Sequence, residues 1–421
     1  MSEPSVNQVV SHLFRHEAGK MAAVLTRMVG LQHLDIAEDI VQDTLLQALN
    51  VWKVKGIPEN PPAWLYTVAK RKAIDVIRQR TSHAHIEKEL AQAFKSEWTL
   101  SPAIRHLFFE HEIEDSQLRM MFACCHPAIP YESQMALILK TLCGLSISEI
   151  AHSFLTTDET ITKRLYRARE KIREEGIQLE ILSPKTLTDR QDTVLHTLYL
   201  LFSEGYNSVH PDKLIRHDLC EEAMRLCLLV TKNKLTGSPD ANALLALMCY
   251  QASRADARLG EKGNIILLQH QDRAKWNQSL IQKGNEFLDR ATASDELSEY
   301  HLEAAIAATH ARAQTFETTD WKNILLLYEL LSTVKKDPIV ELNKAIAIGF
   351  AKSAEEGLTY LKTVKGLESN SIYHAALGDF YVSLKNPASA EENYVKAISL
   401  TQSSSEIDLL KSKLSSLAHY L

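Results

Sequence analysis

The chain has 421 residues, a formal net charge of −6, 45% hydrophobic and 24% charged residues, and only 14 glycines and 12 prolines. That composition belongs to a folded protein of two or three domains rather than a disordered or fibrous chain. The negative total also excludes indiscriminate coating of nucleic acid by the whole molecule.

No β-type alternation recurs along the chain, so the expected fold class is all-α. Residues 1–14 lack a basic segment followed by an apolar run, so no signal peptide is indicated. The apolar runs are too short to span a bilayer. Cysteines 124, 125, 143, 220, 227 and 249 are scattered without CxxC spacing. They read as small buried hydrophobes in a reducing cytoplasm, not as disulfides or metal ligands.

Val6–Val29 carries apolar positions for one or two amphipathic helices, closed by Gly30. Asp35–Trp52 is the clearest helix of the first third. Ile36, Ile40, Thr44, Ala48 and Trp52 form its core seam. Asp39, Gln42, Asp43 and Leu46 fall at i, i+3, i+4 and i+7 and share an outward face. An acidic face with one leucine suits a docking partner; a solvated face with an incidental leucine is the alternative.

The prolines of Gly56–Pro62 hold that segment out of a helix, and Pro62 suits the first turn of the next one. In Ala63–Arg80, Leu65, Ala69, Ala73, Val76 and Ile77 are core positions, while Trp64, Thr67, Arg71, Asp75 and Arg78 lie along another face. Val68–Arg80 holds Lys70, Arg71, Lys72, Arg78 and Arg80 against Asp75 alone. Rings beside cations are what single-stranded nucleic acid requires: bases stack on the rings and phosphates follow the charges. Packing is the commoner role for aromatics such as Trp64 and Tyr66 near a helix start. Thr81–Ser101 is polar and weakly periodic and reads as a linker.

Tyr131–Cys143 is expected to be a buried helix. Leu145–Arg173 then reads as two short helices and a tight turn. Ser146 and Glu149 have the spacing of a capping box, and Thr157 suits the cap of the second helix. Ile161, Leu165, Ala168 and Ile172 give that helix its buried stripe. Lys163, Arg164, Arg167, Arg169, Lys171 and Arg173 occupy its other faces. A short helix, a turn and a cationic second helix fit the major groove of duplex DNA.

Ser183-Pro184 and Thr188-Asp189 mark a boundary, beyond which the chain is helical and neutral to acidic. Ala376–Leu400 fits a tetratricopeptide pattern, with Gly378, Ala390 and Ala397 as the small residues that let two helices approach. Ile339–Val364 and Tyr300–Leu331 are more degenerate helix pairs. Such pairs stack and present a concave surface. Leu198–Asn207, a candidate hinge, and Gln269–Trp276 are two polar–aromatic clusters. There is no phosphate loop, dinucleotide fingerprint or GxSxG, and no acid, base and nucleophile come together, so an enzyme is not indicated.

Three segments in this order, DIAEDIVQDTLLQALNVW, PPAWLYTVAKRKAIDVIRQR and SISEIAHSFLTTDETITKRLYRAREKIR, resemble those of extracytoplasmic-function sigma factors. LRMMFACCHPAIPYESQMALILKTLCGLS and the chain from Leu187 onward resemble the subgroup with a long C-terminal helical-repeat extension. The resemblance implies an alternative sigma factor that needs no cofactor. Its domains would be 8–80, binding core polymerase and the −10 element; a linker at 81–114; 115–175, binding the −35 element; and a helical-repeat domain at 185–421.

By the same resemblance, Asp39, Gln42, Asp43 and Leu46 would dock the β′ clamp helices of RNA polymerase, with the β flap as a second polymerase contact. Asn60, Trp64, Tyr66, Lys70, Arg71, Asp75 and Arg78 would recognise and help open the −10 element. Thr160, Lys163, Arg164 and Arg167 would read −35 duplex. Where the family often has T-V-K-S-R-L, this chain has Thr160-Ile161-Thr162-Lys163-Arg164-Leu165. That moves the cation about 100° around the helix and leaves the base-contacting set open. The repeat domain would take a protein or peptide regulator. A repeat-based scaffold and a polymerase-independent helix-turn-helix regulator are the alternatives.

Overall fold

The computed structural model describes residues 6–83, 110–179, 183–208, 215–260, 264–293, 296–401 and 403–417. Residues 84–109 of the expected linker lie outside them. The described residues form eighteen α-helices and no strand, with one isolated bridge between Leu259 and Ile265. The fold is all-α, and no described helix is long and apolar enough to cross a membrane. The chain divides into two compact units, residues 1–204 with 221–236 and residues 205–220 with 237–421.

The first unit begins with α1 (Val6–Val29), α2 (Leu34–Lys55) and α3 (Pro61–His83), which pack on one another. Their core is built from Met21, Leu25, Ile40, Val41, Leu45, Trp52, Leu65 and Ala69. Val6–Val29 is a single helix, ended where Gly30 takes a φ of +91°, a conformation only glycine adopts without strain.

Next come α4 (Glu110–Cys124), the buried α5 (Tyr131–Thr141), α6 (Ile147–Ser153) and α7 (Asp158–Glu174). α4 lies against α1, where Arg27 reaches Glu112 at 2.9 Å and Asp115 at 3.1 Å. A Cβ on Gly19 would overlap the backbone carbonyl of Leu142, so the close approach of α1 to the end of α5 requires a glycine. Parts of α8 (Pro184–Tyr206) and α9 (His217–Lys232) complete this unit. Arg190 donates to the Phe122 carbonyl at 2.9 Å, and Arg225 donates to Gln117 at 3.1 Å. Of Leu198–Asn207, the candidate hinge, all but the last residue is uninterrupted helix, and Asn207 follows in a turn. The six cysteines are buried free thiols, and burial pushes those of Cys124 and Cys249 up to about 12, which keeps them unreactive.

The second unit contains α10 (Pro239–Ser253), α11 (Gln278–Ala291), α12 (Glu299–Arg312), α13 (Trp321–Val334), α14 (Pro338–Ala351), α15 (Ala354–Leu361), α16 (Ser371–Ser383), α17 (Pro387–Leu400) and α18 (Ser404–Leu417). α10 is buried along most of its length and is flanked by α11 and α12. From α13 onward, each helix packs on its sequence neighbour. At the α16–α17 contact, Gly378 lies under the Tyr394 ring, leaving no room for a Cβ, and Ala390 and Ala397 are fully buried. Small residues therefore set the helix separation here, as the sequence suggests.

The Gly19 contact gives a direct test of the first unit. Gly19→Ala pushes a methyl into backbone rather than into a flexible side chain. It should lower unfolding stability by about 1–3 kcal/mol, measured as a lower denaturant midpoint at unchanged slope.

Candidate nucleic-acid interface

The helix-turn-helix is fixed by its caps. The Ser146 hydroxyl accepts from the Glu149 N–H at 3.2 Å, and the Glu149 carboxylate accepts from the Ser146 N–H at 2.6 Å. These two bonds satisfy donors that a helix start otherwise leaves unpaired. Leu155, exposed at the turn, takes a φ of +50°. The Thr157 hydroxyl then caps α7 by accepting from the Thr160 N–H. Asp158 and Glu159 follow at the positive end of the helix dipole.

α7 buries Ile161, Leu165, Ala168 and Ile172, and that stripe decides where the cations go. Lys163, Tyr166 and Arg167 face outward, Lys163 pairing with Glu159 at 2.6 Å on the surface. Thr160 is half-buried beside the cap. Arg164 is turned sideways: it pairs with Glu132 on α5, and its guanidinium lies 5.4 Å from the Phe154 ring centre. Arg169 lies on the other flank and reaches Glu38 of α2 at 2.8 Å. Burial raises the Glu38 pKa, and Arg169 opposes that rise. Tyr166 was not among the sequence candidates, although it stands one turn from Lys163 and opposite the buried stripe, a position the helical period does disclose.

On α3 the exposed row is Ala63, Thr67, Arg71, Asp75 and Arg78. Lys70 is half-buried. The Asn60 side chain accepts from the Ala63 N–H at 3.1 Å, so it caps α3. Trp64 is half-buried, edge-on to the buried Trp52 with ring centres 5.3 Å apart. Tyr66 donates to Glu17 at 2.7 Å, and burial, with Glu17 second, raises its phenol well above the ordinary value. The structure thus gathers Arg71, Asp75 and Arg78 on one exposed row with the half-buried Trp64 on the same side of the helix, whereas Tyr66 is turned about 120° or more away from that row, toward α1, where Glu17 holds it. On α2, Asp39, Gln42, Asp43 and Leu46 are all exposed, and Lys72 meets Asp43 at 3.3 Å. Among the described residues, no group of three or more His, Cys, Asp or Glu is placed to hold a metal ion.

The Arg169–Glu38 pair joins α7 to α2 across 131 residues of sequence. A double-mutant cycle with Arg169→Ala and Glu38→Ala should give a coupling of about 1 kcal/mol for this partly exposed pair. Repeating the unfolding titration in high salt should shrink that coupling.

Two models of known families match these modules. Sigma-70 region 2 matches residues 13–83 and Sigma-70, region 4 matches residues 119–172. A family of unknown function, DUF6596, matches residues 190–292. The uncharacterized protein R00370 of Rhizobium meliloti (strain 1021) is 32% identical over 390 residues, covering 92% of this chain and 91% of that protein. RNA polymerase sigma factor SigV of Bacillus subtilis (strain 168) is 27% identical over 143 residues, covering 34% of this chain and 77% of SigV. No solved structure matches.

Proposed function

The chain belongs to the sigma-70 family of RNA polymerase sigma factors, with region 2 and region 4 arranged as in the extracytoplasmic-function type, and on that premise we propose how its surfaces share the work of initiation. Its partners are core RNA polymerase and promoter DNA, and it acts by recognition rather than covalent catalysis. The observation that carries the division of labour is the exposure pattern. An acidic face on α2 and a cationic face on α7 both point to solvent, and each lies opposite its helix's buried stripe.

Asp39, Gln42, Asp43 and Leu46 dock the β′ clamp helices: three polar groups give orientation, and the exposed leucine gives apolar area. The β flap takes the region 4 module. Lys163 and Arg167 hold −35 phosphates and base edges, with Thr160 beside the helix start and Arg164 exchanging Glu132 for phosphate. Lys70, Arg71, Asp75 and Arg78 line the −10 surface, which Asn60 positions by capping α3. Trp64 borders this surface, Tyr66 steadies the helix from the α1 side through Glu17, and unpaired bases captured against the exposed row make strand separation favourable. Residues 8–80 and 115–175 are the two promoter modules, and 81–114 joins them. The expected repeat domain, 185–421, begins within the first compact unit; its tetratricopeptide-like regulatory part is the helix pairs of 237–421, which receive a protein or peptide.

Run-off transcription with purified core enzyme on genomic fragments tests the reading. Transcripts should begin at discrete sites only when this chain is added. Duplex binding by the chain alone, with no effect on core enzyme, favours the polymerase-independent regulator. No binding to either favours the scaffold.

Two variants sharpen this. Arg167→Ala should weaken binding to −35 duplex and lower the salt slope of log K by about one unit, as read by titration at several salt concentrations. Residues 184–204 and 221–236 belong to the first compact unit, so an informative truncation starts after Thr236. Removing 237–421 should change promoter output while the holoenzyme keeps its affinity for promoter DNA.

A further inference from the structure

The second unit contains two arginines that no carboxylate among the described residues pairs with, and a histidine beside them. Arg254 ends α10, Arg273 lies in the 264–276 loop, and His310 lies near the end of α12. The loop is tied to the end of α10 by the Asn277 N–H, which donates to the Ser253 carbonyl at 2.8 Å. Arg273 donates one terminal nitrogen, Nη1, to the His310 carbonyl. The guanidinium carbons of Arg273 and Arg254 lie 4.1 and 5.6 Å from the centre of the same Trp276 ring.

These groups present an unusual set of donors. Nε of Arg254, Nε and Nη2 of Arg273, Nδ1 of His310 and Nε1 of Trp276 are all buried, and none has a hydrogen-bond partner among the described residues. Nε and Nη2 of Arg273 form one side of the guanidinium, the fork that meets an oxyanion through two parallel bonds. Arg258 is occupied differently. It donates to the Tyr206 carbonyl and the Asn207 side chain, each at 2.7 Å, and stacks over the Tyr206 ring.

The electrostatics agree with the geometry. Burial lowers the pKa of Arg254 and of Arg273; Arg258 adds to the first effect and Arg254 to the second. Burial and the two arginines push the His310 imidazole down to about 3. The carboxylate acting on Arg273, that of Glu317, is exposed and forms no ion pair with it. Desolvated like charges without a counter-charge are costly, and buried donors left unpaired need a reason. One oxyanion would satisfy both demands. Helix packing supplies no such explanation, since a methionine or leucine would fill the same space without the penalty.

We infer that Arg254, Arg273, Trp276 and His310 form a binding site in the C-terminal unit for a small oxyanion, a phosphoryl or carboxylate group. The Arg273 fork takes two oxygens, Arg254 supplies the second charge, and the indole N–H fixes orientation. His310 adds a further donor as the anion favours its Nδ1–H form. This gives the regulatory unit a chemical ligand and does not rest on any assignment of DNA or polymerase contacts.

The test uses the full chain with neither DNA nor polymerase. Thermal melting and calorimetric titration are run with inorganic phosphate, with acetate, and with sodium chloride at matched ionic strength. Wild type should show a saturable rise in melting temperature and one-site heat with phosphate or acetate, beyond the chloride control. A response to phosphate alone assigns a phosphoryl ligand, and a response to acetate alone assigns a carboxylate. Arg273→Gln and Arg254→Met should each weaken binding roughly tenfold or more. In wild type, the Trp276 indole N–H resonance, identified by its loss in Trp276→Phe, should shift with the same saturation; this readout stands even if an arginine variant does not fold. Absence of a saturable response to both anions overturns the inference, as does an unchanged response in the folded arginine variants or a Trp276 resonance that does not move.

Discussion

The outward face of the second helix of the helix-turn-helix depends on one constraint: α7 must bury Ile161, Leu165, Ala168 and Ile172. A helix turns about 100° per residue, so fixing that stripe fixes every other side chain on it. Lys163 and Arg167 are forced outward. Arg164 and Arg169 fall on the flanks, where they meet Glu132 and Glu38. Six cations in sequence therefore become two kinds of cation in space, those that face solvent and those that hold the helix to its neighbours.

The same division runs through α2 and α3. Ile40, Thr44, Ala48 and Trp52 are buried, which turns Asp39, Gln42, Asp43 and Leu46 outward together. On α3, burial of Leu65, Ala69 and Ala73 exposes Arg71, Asp75 and Arg78. Trp64 sits between the two environments. Its edge contact with Trp52 anchors the ring to the core, while the residue itself stays only half-buried.

The C-terminal unit follows another economy. Most of it is apolar contact between neighbouring helices, set by small residues such as Ala390 and Ala397 and by rings such as Tyr394. Against that background, the pair Arg254 and Arg273 around Trp276 stands out as stability given up locally. Sites of that kind are where proteins hold ligands. DUF6596 spans most of this arrangement, while His310 lies beyond its last matched residue, so the site is assembled by folding rather than contained in one stretch of sequence.

Much of this was legible in the chain itself. Helical periodicity placed the buried stripes of α2, α3 and α7. Ser146, Glu149 and Thr157 announced the caps, and the three ordered segments carried the resemblance to sigma factors. These are local properties, set by neighbours within about one turn, and sequence spacing records them directly. Spacing could not show that Arg164 meets Glu132 or that Arg169 meets Glu38, nor that Trp64 rests on Trp52. It also could not join Arg254 to Arg273 and His310, although Gln269–Trp276 stood out as a polar–aromatic cluster. Each of those contacts links residues that only packing brings together, so their charge balance and burial exist in the folded chain and nowhere in the order of its residues.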